Sequence, residues 1–247
     1  MKSDNSGIWI TGASSGIGKS AAIEFAKTGC NVFVSARRIL ELERINDELE
    51  QEKLSVQVFP CNIASHTNVE QTVKKISQIS KINCLINNAG STSFKLAEDN
   101  SINEINDIIQ TNLLGSIYTI KAVLPQMIAN GGGTIINILS VVTKKTFTKS
   151  SIYSASKNGL LGYTNSLREE VRKYKIKVIN IIPGATETPI WSKEVRNQFS
   201  EKMMSAEYVA RVLVWAYFQK ENLIYKFKIN NKACPMRCYT CNNYTNC

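Results

Sequence analysis

The string TGASSGIG at positions 11–18 follows directly on the apolar run Ile8-Trp9-Ile10, and a helical pattern from Lys19 to Thr28 begins at once behind it. A strand, a glycine turn and a helix start are thereby joined without a spacer. A helix N-terminus offers unpaired backbone N–H groups and the positive end of its dipole, so such a junction suits a pyrophosphate. The glycines have separate jobs there: Gly12 permits the tight turn, Gly16 lets backbone approach the phosphates, and Gly18 lets the helix pack close to the strand. Ser14, Ser15 and Ile17 complete the turn. On spacing alone, G-x-x-x-G-x-G is equally compatible with a glycine-rich turn that holds no ligand.

The rest of the chain alternates apolar runs of strand length with helical patterns, as a parallel sheet covered on both faces requires. Strands are predicted at 7–11, 31–35, 55–60, 82–87, 133–138, 177–182 and 223–229, and helices at 16–28, 38–52, 67–80, 101–128, 151–174 and 205–219. Right-handed crossovers turn that order into a doubly wound sheet with its ligand crevice at the strand C-terminal ends. At 247 residues, the chain fits one domain over 1–229, followed by a Cys- and Asn-rich tail over 230–247 that is expected to be disordered. No apolar run approaches bilayer-spanning length, so a soluble cytoplasmic protein without a membrane partner is expected.

Three further segments fall where apolar runs give out. Ile82 to Ile86 ends in Asn87-Asn88-Ala89-Gly90, Thr134 to Ile138 ends near Ser140, and Tyr153-x-x-x-Lys157 follows thirteen residues after that serine. With the glycine turn, these segments resemble the short-chain dehydrogenase/reductase family from about residue 7 to 220. The resemblance implies a single-domain Rossmann-type α/β fold, a doubly wound parallel sheet of six to seven strands with helices on both faces. It also implies an oxidoreductase that moves hydride between a nicotinamide cofactor and a small carbonyl or alcohol substrate.

Tyr153 and Lys157 are four residues apart and share one face of a helix. A phenol titrates at about pH 10, so it exchanges protons poorly at neutral pH unless its anion is stabilised. Lys157 does this electrostatically, and in the family it also holds the nicotinamide ribose. Ser140 is expected to donate to the substrate carbonyl oxygen, where negative charge develops. Asn112 matches the family's fourth catalytic member, which positions a water between the lysine and solvent. The family often shows paired serines and a glycine around the catalytic serine, whereas this chain reads Leu139-Ser140-Val141-Val142-Thr143; the spacing to Tyr153 identifies Ser140.

The second strand ends in Ala36-Arg37-Arg38, with no carboxylate to accept ribose hydroxyls. A guanidinium binds a 2′-phosphate through charge-assisted hydrogen bonds, which favours NADPH over NADH. The alternative is that Arg37 and Arg38 merely begin a solvated helix carrying Glu41, Glu43 and Arg44. By resemblance, Asn62 and Ile63 face the adenine, Asn88, Ala89 and Gly90 face the ribose, and Pro183, Gly184, Thr186 and Thr188 surround the nicotinamide amide. A cofactor-sensing regulatory module without turnover is a second reading of the same fold.

Ser91, Val141, Val142, Phe147, Ile190 and Trp191 are expected to line the pocket, which suggests a moderately hydrophobic carbonyl compound. The formal net charge is +10, but no nucleic-acid motif accompanies it. Lys144, Lys145 and Lys149 either ring the pocket mouth, favouring an anionic substrate or an acidic carrier protein such as acyl carrier protein, or form a solvated surface. His66 reads as a surface residue, and Cys30, Cys61 and Cys84 as buried thiols in a reducing compartment. Cys234, Cys238, Cys241 and Cys247 fall in a C-x3-C-x2-C-x5-C pattern, but no bound metal is expected. The long helices at 101–128 and 151–174 are expected to build a homodimer or homotetramer.

Overall fold

A computed structural model describes residues 6–219, 226–229 and 237–238. The strands are β1 (Ser6–Thr11), β2 (Asn31–Ser35), β3 (Gln57–Val58), β4 (Lys81–Asn87), β5 (Gly133–Ile138), β6 (Ile176–Pro183), β7 (Lys226–Ile229) and β8 (Arg237–Cys238). They form one sheet in the order β3-β2-β1-β4-β5-β6-β7-β8. The first seven strands pair in parallel, and β8 adds antiparallel to β7. The order reverses between β1 and β4, which places the crevice over their C-terminal ends.

Around the sheet lie α1 (Gly16–Lys27), α2 (Ile39–Glu50), α3 (His66–Ser77), α4 (Ile102–Ile109), α5 (Gly115–Ala129), α6 (Ser151–Val171), α7 (Lys193–Phe199) and α8 (Ala206–Phe218). The central strands are apolar on both sides because both faces are covered. Ile8, Ile10, Val32 and Val34 pack with α1, α2 and α8, while Trp9 and Phe33 pack with α3, α5 and α6. Serines start several helices: Ser65, Ser101, Ser192 and Ser205 each accept a backbone N–H in the first turn, and Ser101 forms a capping box with Glu104. No helix among the described residues is long and apolar enough to cross a membrane.

Two predicted elements differ. The strand expected at 55–60 is regular only at Gln57–Val58. Pro60 has no N–H to donate, although Phe59 and Cys61 still donate to Val34 and Ala36 across the edge. The helix expected at 101–128 is interrupted by a π-helical turn, Gln110–Leu114, closed by the Gly115 N–H on the Gln110 carbonyl. Of the predicted final strand, 226–229 is present and 223–225 lies outside the described residues. Within the tail, Arg237–Cys238 forms β8; Cys234, Cys241 and Cys247 lie outside the described residues.

A row of amides crosses the middle of the sheet. Asn87, Asn137 and Asn180 occupy paired positions on β4, β5 and β6 and are buried. Asn87 Nδ2 donates to Asn137 Oδ1 at 3.1 Å, Asn137 Nδ2 to Asn180 Oδ1 at 3.2 Å, and Asn180 Nδ2 to Thr164 Oγ1 at 2.9 Å. Thr119 Oγ1 closes the other end by donating to Asn87 Oδ1 at 2.6 Å. A buried polar chain is stabilising only while every member is satisfied. Asn137→Leu removes the middle member and orphans its neighbours, so it should lower stability by about 1–3 kcal/mol, read as a lower urea midpoint.

Candidate active site

The glycine turn is built by close backbone approach. Gly12 and Gly16 have φ of 65° and 54°, in the left-handed region that glycine tolerates. A Cβ on Gly12 would lie 2.5 Å from the Ala89 Cα, and one on Gly18 would lie 2.4 Å from the Gly12 carbonyl oxygen. One on Gly16 would lie 2.9 Å from Thr188 Cγ2, so this turn also touches the loop after β6. Asn88 clamps the turn to β4: its Nδ2 donates to the Thr11 and Gly12 carbonyls at 3.1 and 3.0 Å. The Thr11 hydroxyl accepts the N–H groups of Asn88 and Ala89 in return, both at 3.2 Å.

Of the two arginines after β2, Arg38 reaches the turn. Its Nη2 donates to Ser14 Oγ at 2.9 Å and Ser15 Oγ at 3.2 Å, while Arg37 is exposed. Asn62 accepts the Ala64 N–H on its Oδ1 at 3.2 Å, and Ile63 packs under Gly115. Pro183 ends β6, and the Gly184 N–H donates to the Ile229 carbonyl of β7 at 3.1 Å. The Thr186 carbonyl accepts the Trp191 indole N–H at 3.1 Å and the Thr188 hydroxyl at 3.4 Å. Ile17 packs half-buried against the α1 side of the core.

Ser140 sits just beyond β5, where its Oγ accepts the Val142 N–H at 3.3 Å. That leaves its proton to donate, and its hydroxyl is close enough to the Tyr153 phenol to favour the phenolate. Burial pushes the Tyr153 phenol above its ordinary value, and the Ser140 contact partly offsets this. One turn along α6, Lys157 is 4% exposed and donates to the Ile138 carbonyl at 2.8 Å. Its Nζ lies 5.8 Å from the centroid of the Tyr153 ring. Burial holds this ammonium down at about 8.

Asn112 lies in the π turn and is fully buried. Its Oδ1 accepts the Ser91 N–H at 2.8 Å, and its Nδ2 donates to the Ser91 carbonyl at 2.8 Å and to Ser156 Oγ at 3.0 Å. The amide thus ties the strand end Gly90-Ser91 to α6. A Cβ on Gly90 would lie 3.3 Å from Asn112 Oδ1 and 3.6 Å from Lys157 Nζ, so this glycine keeps open the space between the two.

These four side chains, the glycine turn and the Asn88 clamp converge on one crevice. The family model described as short chain dehydrogenase matches residues 7–198. The chain belongs to the short-chain dehydrogenase/reductase family. Among its relatives, sepiapterin reductase of Chlorobaculum tepidum is 31% identical over 223 residues, covering 87% of this chain and 91% of that protein. The mouse dehydrogenase/reductase SDR family member 7 is 34% identical over 202 residues, 79% of this chain but 59% of the mouse protein, so the chain spans less than two thirds of that relative. Among solved structures, an alcohol dehydrogenase from the archaeon Thermococcus sibiricus complexed with 5-hydroxy-NADP aligns with a TM-score of 0.81 at 25% identity, over 91% of this chain and 96% of that one.

Members of this family bind a nicotinamide cofactor. The crevice fits one: the close approaches at Gly12, Gly16 and Gly18 leave no room for side chains, so the turn presents bare backbone at the start of α1, and Arg38 already stands over Ser14 and Ser15. Three features escape the sequence reading. The π turn at Asn112 depends on a hydrogen bond to Ser91, which no local pattern announces. Phe94 stacks on Trp191 without belonging to any motif. Arg196, on α7, is half-buried, and its Nε is buried with no hydrogen-bond partner among the described residues. His66, by contrast, begins α3, pairs with Glu70 at 3.3 Å and packs edge-on against Tyr118.

Two predictions follow from this geometry. Gly18→Ala should lower the melting temperature and weaken cofactor binding, because its methyl meets a backbone carbonyl. Gly162→Ala, also helical but facing open space, should instead raise stability by about 0.5–1 kcal/mol. Lys157 keeps its proton in the unfolded chain to higher pH than in the fold, so the unfolded state binds more protons above about 8. The parent should therefore gain stability relative to Lys157→Met as pH rises from 8 to 9, measured by urea unfolding in cofactor-free buffer.

Proposed function

We propose that the chain is an NADPH-dependent reductase that converts a ketone or aldehyde to an alcohol, or runs the reverse oxidation. The observation that carries this reading is the Tyr153 phenol set between the Ser140 hydroxyl and buried Lys157, whose Nζ lies 5.8 Å from the phenol ring centroid. Gly12, Ser14, Ser15, Gly16, Ile17 and Gly18 would hold the pyrophosphate side of the cofactor, Arg37 and Arg38 the adenosine phosphate, and Asn62 and Ile63 the adenine. Asn88, Ala89, Gly90, Tyr153 and Lys157 would hold the ribose side, and Pro183, Gly184, Thr186 and Thr188 the amide. Bound NADPH supplies the hydride. Ser140 donates to the carbonyl oxygen as negative charge grows on it, and the Tyr153 phenol delivers its proton to that oxygen. The Lys157 ammonium stabilises the phenolate left behind, and Asn112 keeps Gly90-Ser91 and α6 in register around it.

Tyr153→Phe should retain NADPH binding while losing at least about a hundredfold in kcat. Reduction should weaken as pH rises and the phenol gives up its proton, and the reverse oxidation should strengthen. Arg38→Ala should cost about ten- to a hundredfold in kcat/KM with NADPH and little with NADH, since a charge-assisted phosphate contact is lost. Loss of the NADPH preference in Arg37→Ala instead would assign the phosphate to that residue. NADPH binding without turnover of any ketone, aldehyde, diketone or acyl thioester would favour the sensor reading.

Exposed Lys144, Lys145 and Lys149, which follow Ser140 closely in the chain, would suit a substrate that carries a carboxylate or phosphate, with an acidic carrier protein as its macromolecular form. We place the protein in the cytoplasm as a homodimer or homotetramer formed through α4, α5 and α6, the pairing expected for its family.

A further inference from the structure

Phe94 and Trp191 come from the two loops that flank the catalytic serine. Phe94 follows β4, Trp191 follows β6, and the strand between them, β5, leads to Ser140. Their rings are stacked within 8° of parallel with centroids 4.6 Å apart, so the pair joins the loop after β4 to the loop after β6 at the sheet edge where β5 leads to Ser140. At that separation, nearly parallel rings are offset, the arrangement that the ring quadrupoles favour.

The two rings are held differently. Trp191 is anchored: its indole N–H donates to the Thr186 carbonyl at 3.1 Å, and its backbone N–H donates to the Thr188 carbonyl at 3.2 Å. Thr186 in turn is bridged to Met204. The loop carrying Phe94 is pinned on either side of that residue, by Ser93 Oγ on Asn100 Oδ1 at 2.7 Å and by Lys95 on Glu104 at 2.6 Å. The Phe94 ring itself is 40% exposed and donates no hydrogen bond. Rotating it away costs one exposed stacking contact and uncovers an apolar indole face that water solvates poorly.

We propose that Trp191 is a fixed stacking platform and Phe94 its replaceable cover, together selecting carbonyl compounds that carry a flat ring beside the reacting carbon. The substrate ring takes the place of Phe94 on the indole, and the carbonyl projects from it toward Ser140 and Tyr153. Ile190, the residue before Trp191, is also exposed and supplies apolar surface beside the indole. This inference rests on the reductase reading for the place of the carbonyl, but ring recognition is separable from turnover.

The test uses the full chain with NADP+, which has no hydride to give to a carbonyl, and compares benzil with its saturated analogue 1,2-dicyclohexylethane-1,2-dione by calorimetry. The parent should bind benzil about three- to tenfold more tightly, the worth of one aromatic stack. Trp191→Leu should bring the two diketones to equal affinity. Trp191→Phe should keep part of the preference, and Phe94→Ala should tighten benzil because its competitor is gone. Thermal melts establish that each variant is folded, and Trp191→Phe serves if the Leu variant is not. Equal affinities in the parent, a preference that survives in Trp191→Leu, or no binding of either diketone would overturn the proposal. Tyr153→Phe should keep the ring preference. A preference without turnover in the NADPH-loaded parent would refute the reductase reading alone, and turnover without a preference would refute the platform alone.

Discussion

The amide row Asn87–Asn137–Asn180 is the constraint on which the site depends, because it locks the three strands whose ends carry the chemistry. A slip of one residue between parallel strands would turn each side chain to the other face of the sheet. Apolar contacts alone discriminate weakly among such slips when both faces are buried, since isoleucine and other apolar side chains line these strands on either side. An asparagine left opposite an isoleucine would instead forfeit its hydrogen bonds in a medium without water. The row also reaches into both neighbouring helices. Thr119 fastens it to α5 and Thr164 to α6, so the depth of the helix that carries Tyr153 and Lys157 is set by the same bonds that set strand register. Asn88 then extends this frame sideways to the glycine turn, which places the cofactor cradle relative to Ser140.

Most of the architecture was legible because it is written in local patterns. The glycine turn, the apolar runs and the Tyr153–Lys157 spacing each depend on residues close in sequence, and the strand order follows from handedness once they are assigned. What was not legible depends on contacts between distant residues. Nothing at Gln110–Leu114 itself marks the π turn: the proline of this stretch, Pro125, lies further along inside α5, and Gly115 alone does not distinguish a π turn from an ordinary helix. The extra residue is accommodated because Asn112 finds both backbone groups of Ser91, and π turns of this kind recur where a side chain must be aimed. The shortening of β3, by contrast, was readable in principle: Pro60 cannot donate to a ladder. The amide row was readable too, from three asparagines at equivalent depth in otherwise apolar strands.

The glycines show where a correct motif assignment still needs the structure for its reason. Gly18 serves helix packing as expected, but what it avoids is the Gly12 carbonyl and the Asn88 amide rather than the strand itself. Gly16 faces Thr188, so the turn after β1 and the loop after β6 limit each other's approach. A side chain at either position would push apart segments that bare glycine backbone now lets pack within van der Waals contact. Arg38 belongs to the same economy of position. Its guanidinium is already oriented by two serine hydroxyls of the turn, so less side-chain freedom would be lost on meeting a phosphate than from an unheld arginine.

Charge is distributed in a way that links proton inventory to occupancy of the crevice. Among the described residues most of the positive charge is carried by exposed side chains, whereas Lys157 is buried and donates to the Ile138 carbonyl. In that setting the neutral amine is favoured more than in water, and a neutral amine does little to stabilise a phenolate. Hydroxyl acceptors brought next to Nζ would supply the partners it lacks and favour its charged form. Tyr153, raised by the same burial, would then feel a full positive charge one turn away and give up its proton more readily. With a value of about 8 the amine is still mostly protonated at neutral pH, so acceptors beside Nζ would extend its charged form toward alkaline pH. The dryness that depresses Lys157 also makes its charge act more strongly on the neighbouring phenol.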